Sequence, residues 1–178
     1  MKIAITGKIG SGKTTMVNYI LNEFPELKFK KLSFAGKIKE IATDLFEMDP
    51  LNKNRELMIQ IGTKIREIDP DIFVKHLIKQ TLNNDNYLID DLRFLNEYKI
   101  LKDNGWFLIK ININSESQKN RLQRTYPDTW ESHIKYVLYH QDLWNLPDNY
   151  FDIVLNATDD DKNLIIIKNK IIELCKIQ

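Results

Sequence analysis

Cysteine is all but missing from this 178-residue chain. Cys175 stands alone, so no internal disulfide can form, and no Cys/His group has the spacing of a zinc site. A secreted disulfide scaffold and a zinc module are thereby excluded, and a reducing compartment is expected. No charge of one sign dominates: Lys+Arg 26 against Asp+Glu 25 leaves +1. A duplex-DNA or membrane-surface binder would carry a basic excess or stripe, so neither nucleic acid nor membrane is expected as a partner. No apolar run approaches the roughly 18 residues of a membrane span. The N-terminus enters a strand pattern at once, without the apolar core of a signal peptide, and the expected location is the cytoplasm. Internal repeats, low-complexity tracts and Gly/Ser linkers are also lacking. Residues 1–178 therefore read as a single domain, in line with about 100–200 residues per domain.

Two scarcities are informative in themselves. Arginine occurs only at 55, 66, 93, 121 and 124, leaving 21 of the 26 basic residues as lysine. Where a lysine-rich chain still uses arginine, the planar bidentate fork is a candidate requirement of the site. Glycine occurs six times, and Gly7, Gly10 and Gly12 crowd into one loop.

What is present alternates strand and helix. KIAIT (2–6) is a short β-branched run that breaks at Gly7, and 13–24 places Met16, Val17, Ile20, Leu21 and Phe24 at helical spacing. A short strand is expected over 29–34, with helices over about 35–47 and 53–67. Asp69 as cap, Pro70 at the first helical position and Asp71 in the first turn predict a further helix start. YLID (87–90) reads as a buried parallel strand, NEYKILKDNG as a helix stopped by Gly105, and WFLIKINI (106–113) as another strand. A polar, arginine-bearing helix follows Ser115, then an aromatic-rich stretch (126–151), a strand FDIVL (151–155) and a closing helix from about Asp159. This order predicts an α/β fold of three layers, a parallel sheet covered on both faces by helices.

Gly7-Lys8-Ile9-Gly10-Ser11-Gly12-Lys13-Thr14-Thr15 fits G-x-x-x-x-G-K-[ST] between a strand and a helix, the context that the phosphate-binding loop requires. At this composition a chance match is on the order of 0.002. Its backbone N–H groups converge on phosphate oxygens, Lys13 reaches the β- and γ-phosphates, and Thr14 can ligate Mg²⁺. A GTPase is disfavoured, because Asn52-Lys53-Asn54-Arg55 lacks the aspartate of N-K-x-D and precedes a helix. The chain is too short for a mechanical ATPase core, and a compact kinase fits better.

Asp90-Asp91-Leu92-Arg93 lies at the carboxyl end of a predicted buried strand, the edge where open α/β sheets bind ligands. One carboxylate can hold Mg²⁺ through water or orient an acceptor, and Arg93 can fork onto a phosphate. Asp90 is favoured over Asp91 for its place directly on the strand. The alternative for this acidic pair is a solvated turn. Arg66 is a candidate clamp for an acceptor phosphate, against a surface residue paired with Glu67 or Asp69. Lys37 is a second candidate clamp; Arg55 is read as surface. Arg121 and Arg124, three apart, share one helical face.

The segments SFAGKIKEIATDLFEM, RELMIQIGTKIREIDPDIFVKHLI and LIDDLRFLNEYKILKDNG, together with the glycine loop, resemble in order the signatures of deoxynucleoside monophosphate kinases of phages and large DNA viruses. A more distant resemblance runs to animal-type phosphomevalonate kinases. The resemblance implies a nucleoside-monophosphate-kinase-like P-loop fold, with acceptor-binding helices over about 35–85 and a lid over about 114–130. It implies transfer of the ATP γ-phosphate to a deoxynucleoside 5′-monophosphate with Mg²⁺, at Thr14 and Asp90. In that frame Lys13, Asp90, Arg93, Arg121 and Arg124 are catalytic, and Lys37, Arg66, Arg93 and Trp130 bind the acceptor. Gly7, Lys8, Gly10, Ser11, Gly12, Lys13, Thr14, Thr15 and Asn156 bind ATP. The partners implied are small-molecule nucleotides, with a homodimer left open. The location would be host cytoplasm if the chain is viral. The family often carries a His-x-Ser-Glu-type segment after residue 125, where this chain has Trp130-Glu131-Ser132-His133. The readings set against this one are another small phosphate-ester kinase, such as one for phosphomevalonate, and a non-catalytic nucleotide-binding regulatory module.

Overall fold

A computed structural model describes residues 1–135, 143–158 and 160–176. Five strands form one sheet: β1 (Lys2–Gly7), β2 (Lys30–Leu32), β3 (Tyr87–Leu92), β4 (Phe107–Asn112) and β5 (Ile153–Asn156). Their order is β2-β3-β1-β4-β5 and every neighbouring pair is parallel. The helices are α1 (Lys13–Glu23), α2 (Phe34–Phe46), α3 (Arg55–Ile68), α4 (Ile72–Lys79), α5 (Leu95–Asp103), α6 (Ser115–Thr125), α7 (Trp130–Lys135) and α8 (Lys162–Lys176).

Both sheet faces are covered, as near-continuous apolar strands demand. Ile3, Ile5, Leu88, Ile109, Ile111 and Leu155 pack with Met16, Val17 and Ile20 of α1 and Ile167 and Ile171 of α8. Ala4, Ile89 and Leu108 face the other way, onto Phe34 and Ile38 of α2, Phe73, Val74 and Leu77 of α4, and Tyr98 and Leu101 of α5. The central strand β1 has β3 on one side and β4 on the other, so the chain changes direction across the sheet at the tip of β1. In open α/β sheets this switch point is where a crevice opens at the strands' carboxyl ends.

Three expected boundaries are corrected. Helix α4 starts at Ile72 rather than behind an Asp69 cap, because the Asp69 carboxylate accepts the Asp71 N–H at 2.9 Å and Lys75 at 2.9 Å, holding Pro70–Asp71 as a turn. Strand β3 runs two residues past YLID, to Leu92, through an irregularity in its pairing with β1 between Ala4 and Thr6. The closing helix α8 begins at Lys162. Tyr136 and Tyr139 of the aromatic stretch lie outside the described residues, as does Asp159.

Candidate functional site

The glycine loop joins β1 to α1 at the switch point. Glycine is required at position 7 because a Cβ there would sit 2.5 Å from the Ile111 carbonyl oxygen and 2.7 Å from Ser11 Oγ. Gly12 caps α1 at φ 97°, which side-chain-bearing residues rarely adopt. The Lys13 ammonium donates to the carbonyls of Gly7 at 2.7 Å and Lys8 at 2.9 Å. Gly7 and Lys8 thus act through backbone oxygens, while Gly10, Ser11, Gly12, Lys13, Thr14 and Thr15 line a cleft of about 570 Å³. Ser11 Oγ is buried with no hydrogen-bond partner among the described residues, a polar atom left over for a phosphate oxygen.

The far wall of this cleft is α6 and the β5–α8 loop. Gln118 Nε2 donates to the Ile9 carbonyl at 2.9 Å, Arg121 Nη1 to the Gly10 carbonyl at 3.0 Å, and Arg121 Nη2 to the Thr158 carbonyl at 2.6 Å. Helix α6 is therefore docked on the loop through Gln118 and Arg121, with Leu122 fully buried beneath it. One turn on, Arg124 is exposed on the cleft wall beside Tyr126, with no ion pair among the described residues. Asn156 does not line the cleft. Its carbonyl accepts from Asn163 Nδ2 at 2.7 Å, and it is Thr158, Asp160 and Asn163 that face the space where the sequence placed Asn156. Strand β5 carries Asn156 one step short of the opening. Trp130 is also off both cleft walls, with its ring under the Lys119 ammonium at 5.3 Å, within the α6–α7 hairpin.

At the tip of β3 the two aspartates divide their work. Asp91 accepts from Ser33 Oγ at 2.6 Å, from the Phe34 N–H at 3.1 Å and from the Ala35 N–H at 2.9 Å, capping α2 from across the sheet edge. Asp90 pairs with Lys31 at 2.9 Å. Lys13 is pushed down to about 8, first by burial, then by Arg93, with Asp90 and Asp91 opposing, so all four charges share one field. Asp91→Ala is expected to cost about 1–2 kcal/mol of stability, the scale of a lost helix cap, whereas Asp90→Ala costs under about 1 kcal/mol, as for a partly exposed pair. Urea unfolding of both variants measures the difference; equal losses would show that Asp91 is no special anchor.

Arg66 turns inward. Glu67 pairs with Lys64 and Asp69 with Lys75, each at 2.9 Å, leaving neither for Arg66. Its guanidinium lies over the rings of Phe94 at 4.2 Å and Phe73 at 4.6 Å and faces Glu97 at 3.4 Å. Burial lowers its pKa, with Glu97 opposing and Arg93 reinforcing, so Arg66 and Arg93 are electrostatic neighbours. Lys37 is not part of this group; it pairs with Glu40 and lines a separate cleft of about 310 Å³ with Phe73 and His76.

Two participants were missed by the sequence reading. Glu97 and Gln118 are polar residues on helix faces with nothing local to mark them. Arg55 is exposed, in keeping with its reading as surface, and reaches His133 Nδ1 at 2.7 Å, joining the start of α3 to α7. That contact needs a neutral imidazole; burial and then Arg55 hold the His133 pKa down, and its ring stacks on Tyr126 at 4.0 Å.

No three-member cluster of acidic, His or Cys side chains exists among the described residues to cage a metal alone. The Thr14 hydroxyl on the cleft suits Mg²⁺ instead, an ion that keeps waters and takes its other ligands from phosphates, and Asp90, paired with Lys31 at the tip of the neighbouring strand β3, is the carboxylate on offer. Among the described residues no helix is long and apolar enough to cross a membrane.

No family model and no curated protein matches the chain significantly. Solved structures do match along its whole length. Shikimate kinase from Acinetobacter baumannii in complex with shikimate is 16% identical, with TM-score 0.56 over 99% of this chain and 95% of that one. Shikimate kinase from Bacteroides thetaiotaomicron is 14% identical, with TM-score 0.51 over 99% and 98%. TT1252 from Thermus thermophilus is 16% identical, with TM-score 0.58 over 98% and 97%. At these identities the likeness establishes the fold: a five-stranded parallel sheet with flanking helices, of the P-loop-kinase type.

Proposed function

We propose that this protein is an ATP-dependent kinase that phosphorylates a deoxynucleoside 5′-monophosphate, releasing ADP. One observation carries the reading: Lys13 follows the loop after β1, Arg93 follows the neighbouring parallel strand β3, and Arg66 faces the same Glu97 carboxylate that accepts the Arg93 N–H, so cations for a donor and an acceptor phosphate gather at one sheet edge. A nucleotide sensor needs the loop alone. The order of motifs, with its resemblance to deoxynucleoside monophosphate kinases, supports the choice of acceptor.

In this reading the triphosphate lies along the loop N–H groups, and Lys13 leaves its carbonyl partners for the β- and γ-phosphate oxygens. When bound, Mg²⁺ neutralises charge on the same oxygens, with Thr14 and Asp90 as its protein contacts. Arg66 and Arg93 hold the acceptor phosphate, an ionised nucleophile that needs no general base. Arg121 joins the loop to the β5–α8 connection and so shapes the base end of the donor cleft.

The test is an ADP-release screen over ribo- and deoxynucleoside monophosphates, with phosphomevalonate and shikimate included. The last is there because solved relatives of this fold are shikimate kinases. A pocket that packs an apolar edge against C2′ leaves a ribose hydroxyl uncompensated, at about 1–3 kcal/mol. At least one deoxynucleotide, with dTMP and dGMP first, is expected to exceed its ribose counterpart about 5-fold or more in kcat/KM. Equal rates would make this a general nucleotide kinase. Turnover of phosphomevalonate or shikimate alone would replace the acceptor.

A further inference from the structure

Glu97 takes no part in the reading above, yet it sits between the two acceptor-side arginines. It is 2% exposed. From the third position of α5 its Oε2 accepts the N–H groups of Arg93 and Phe94, both at 3.1 Å, and its Oε1 faces Arg66 Nη2 at 3.4 Å. The Arg66 guanidinium is flanked by Phe73 and Phe94, and a Cβ at Gly62 would stand 2.9 Å from its Nη1. In this orientation the cation meets the Glu97 carboxylate.

Helix capping does not explain a carboxylate here. A neutral amide oxygen accepts backbone N–H groups as well, and neutral caps are common. Burying a charge is costly unless it is paired, and the pair made here is with Arg66. Burial pushes the Glu97 acid up to about 7, opposed by the Arg93 and Phe94 amides and then by Arg66, with Asp91 adding to the rise.

We propose that Glu97 is a positioning residue: one carboxylate locks the backbone that carries Arg93 to the guanidinium of Arg66, so that the two cations meet one phosphate group as a preformed cradle. The proposal rests on the acceptor-site reading above. It also predicts how the cradle fails.

Glu97→Gln keeps an oxygen for the two amides and turns an NH₂ group toward Arg66. Inorganic phosphate is titrated against the Arg66 Nε–Hε NMR signal in wild type and variant, without ATP. The expected result is saturable binding weakened about 10-fold in the variant, the lower end of what losing an orienting partner costs at metal sites. KM for dTMP should rise by a similar factor while KM for ATP stays within about 2-fold. If the variant does not fold, the wild-type protein alone decides. Its Arg66 and Arg93 side-chain signals should both shift saturably with phosphate and give one shared Kd.

Unchanged phosphate affinity in Glu97→Gln, a parallel rise in both KM values, or Arg66 and Arg93 signals that do not respond together to phosphate would each overturn the proposal. The kinase reading fails separately. Wild type that turns over no monophosphate but binds phosphate through Arg66 would remove the kinase and leave the cradle standing.

Discussion

Lys13→Ala is expected to lower turnover at least about 10²-fold, the scale of removing one preorganised charge donor from a transferring group. The reason lies in what the structure does with the charge. Lys13 is partly buried, and its two hydrogen bonds go to the carbonyls of Gly7 and Lys8 rather than to a carboxylate. Its pKa falls from the ordinary 10.5 to about 8. Between those values the unfolded chain binds more protons than the folded one, so stability rises with pH there and the buried ammonium is a net cost below about 8. A cost of that kind is kept where function needs the charge. Two outcomes follow together. Lys13→Ala should lose activity without a matching loss of melting temperature, and wild-type kcat/KM for ATP should fall as pH rises through about 8, as the free enzyme loses the proton. Activity of Lys13→Ala within a few-fold of wild type would remove the P-loop kinase reading.

The glycine loop was legible because its chemistry is contiguous: strand, spaced glycines, lysine and helix follow one another in the chain, and β1 and α1 form where the pattern puts them. The division between Asp90 and Asp91 was not. Strand alternation assigns the two to opposite faces, but the register irregularity between Ala4 and Thr6 alters the pairing at this point. What settles Asp91 is the start of α2, whose N–H groups it receives across 56 and 57 residues of chain. Glu97 was invisible for the same reason. The E in LNEYK looks like an ordinary first-turn acid, and its partner Arg66 lies 31 residues earlier. Arg66 itself could be singled out by arginine scarcity, but only packing distinguishes a guanidinium between Phe73 and Phe94 from one paired with Glu67. Asn156 shows the opposite error. β5 ends beside the glycine-loop cleft, and the residues that reach its opening come from the following loop, Thr158 and Asp160, and from the first turn of α8, Asn163.

Arg124→Ala should lower kcat by about 10²-fold and leave both KM values within about 3-fold. The two arginines on α6 look equivalent in sequence, and their surroundings separate them. Arg121 is committed to the carbonyls of Gly10 and Thr158, holding the two walls of the donor cleft together. Its truncation should loosen the cleft and raise KM for ATP. Arg124 faces the same cleft from an exposed position with no ion pair among the described residues. Phosphoryl transfer spreads charge over the equatorial oxygens as the bond to the leaving group lengthens, and a fork that closes on those oxygens stabilises the transition state more than bound ATP. Such a group shows in kcat. Arg66, by contrast, meets a phosphate whose charge is present throughout, so its loss should show in KM for the monophosphate. Arg124→Lys should recover only part of the rate, since an ammonium keeps the charge and loses the planar pair of donors. Steady-state kinetics with both substrates varied measures all of this. A higher KM for ATP with kcat unchanged in Arg124→Ala would place Arg124 on the ground-state triphosphate and leave the transferring group to Lys13 and the acceptor-side cradle.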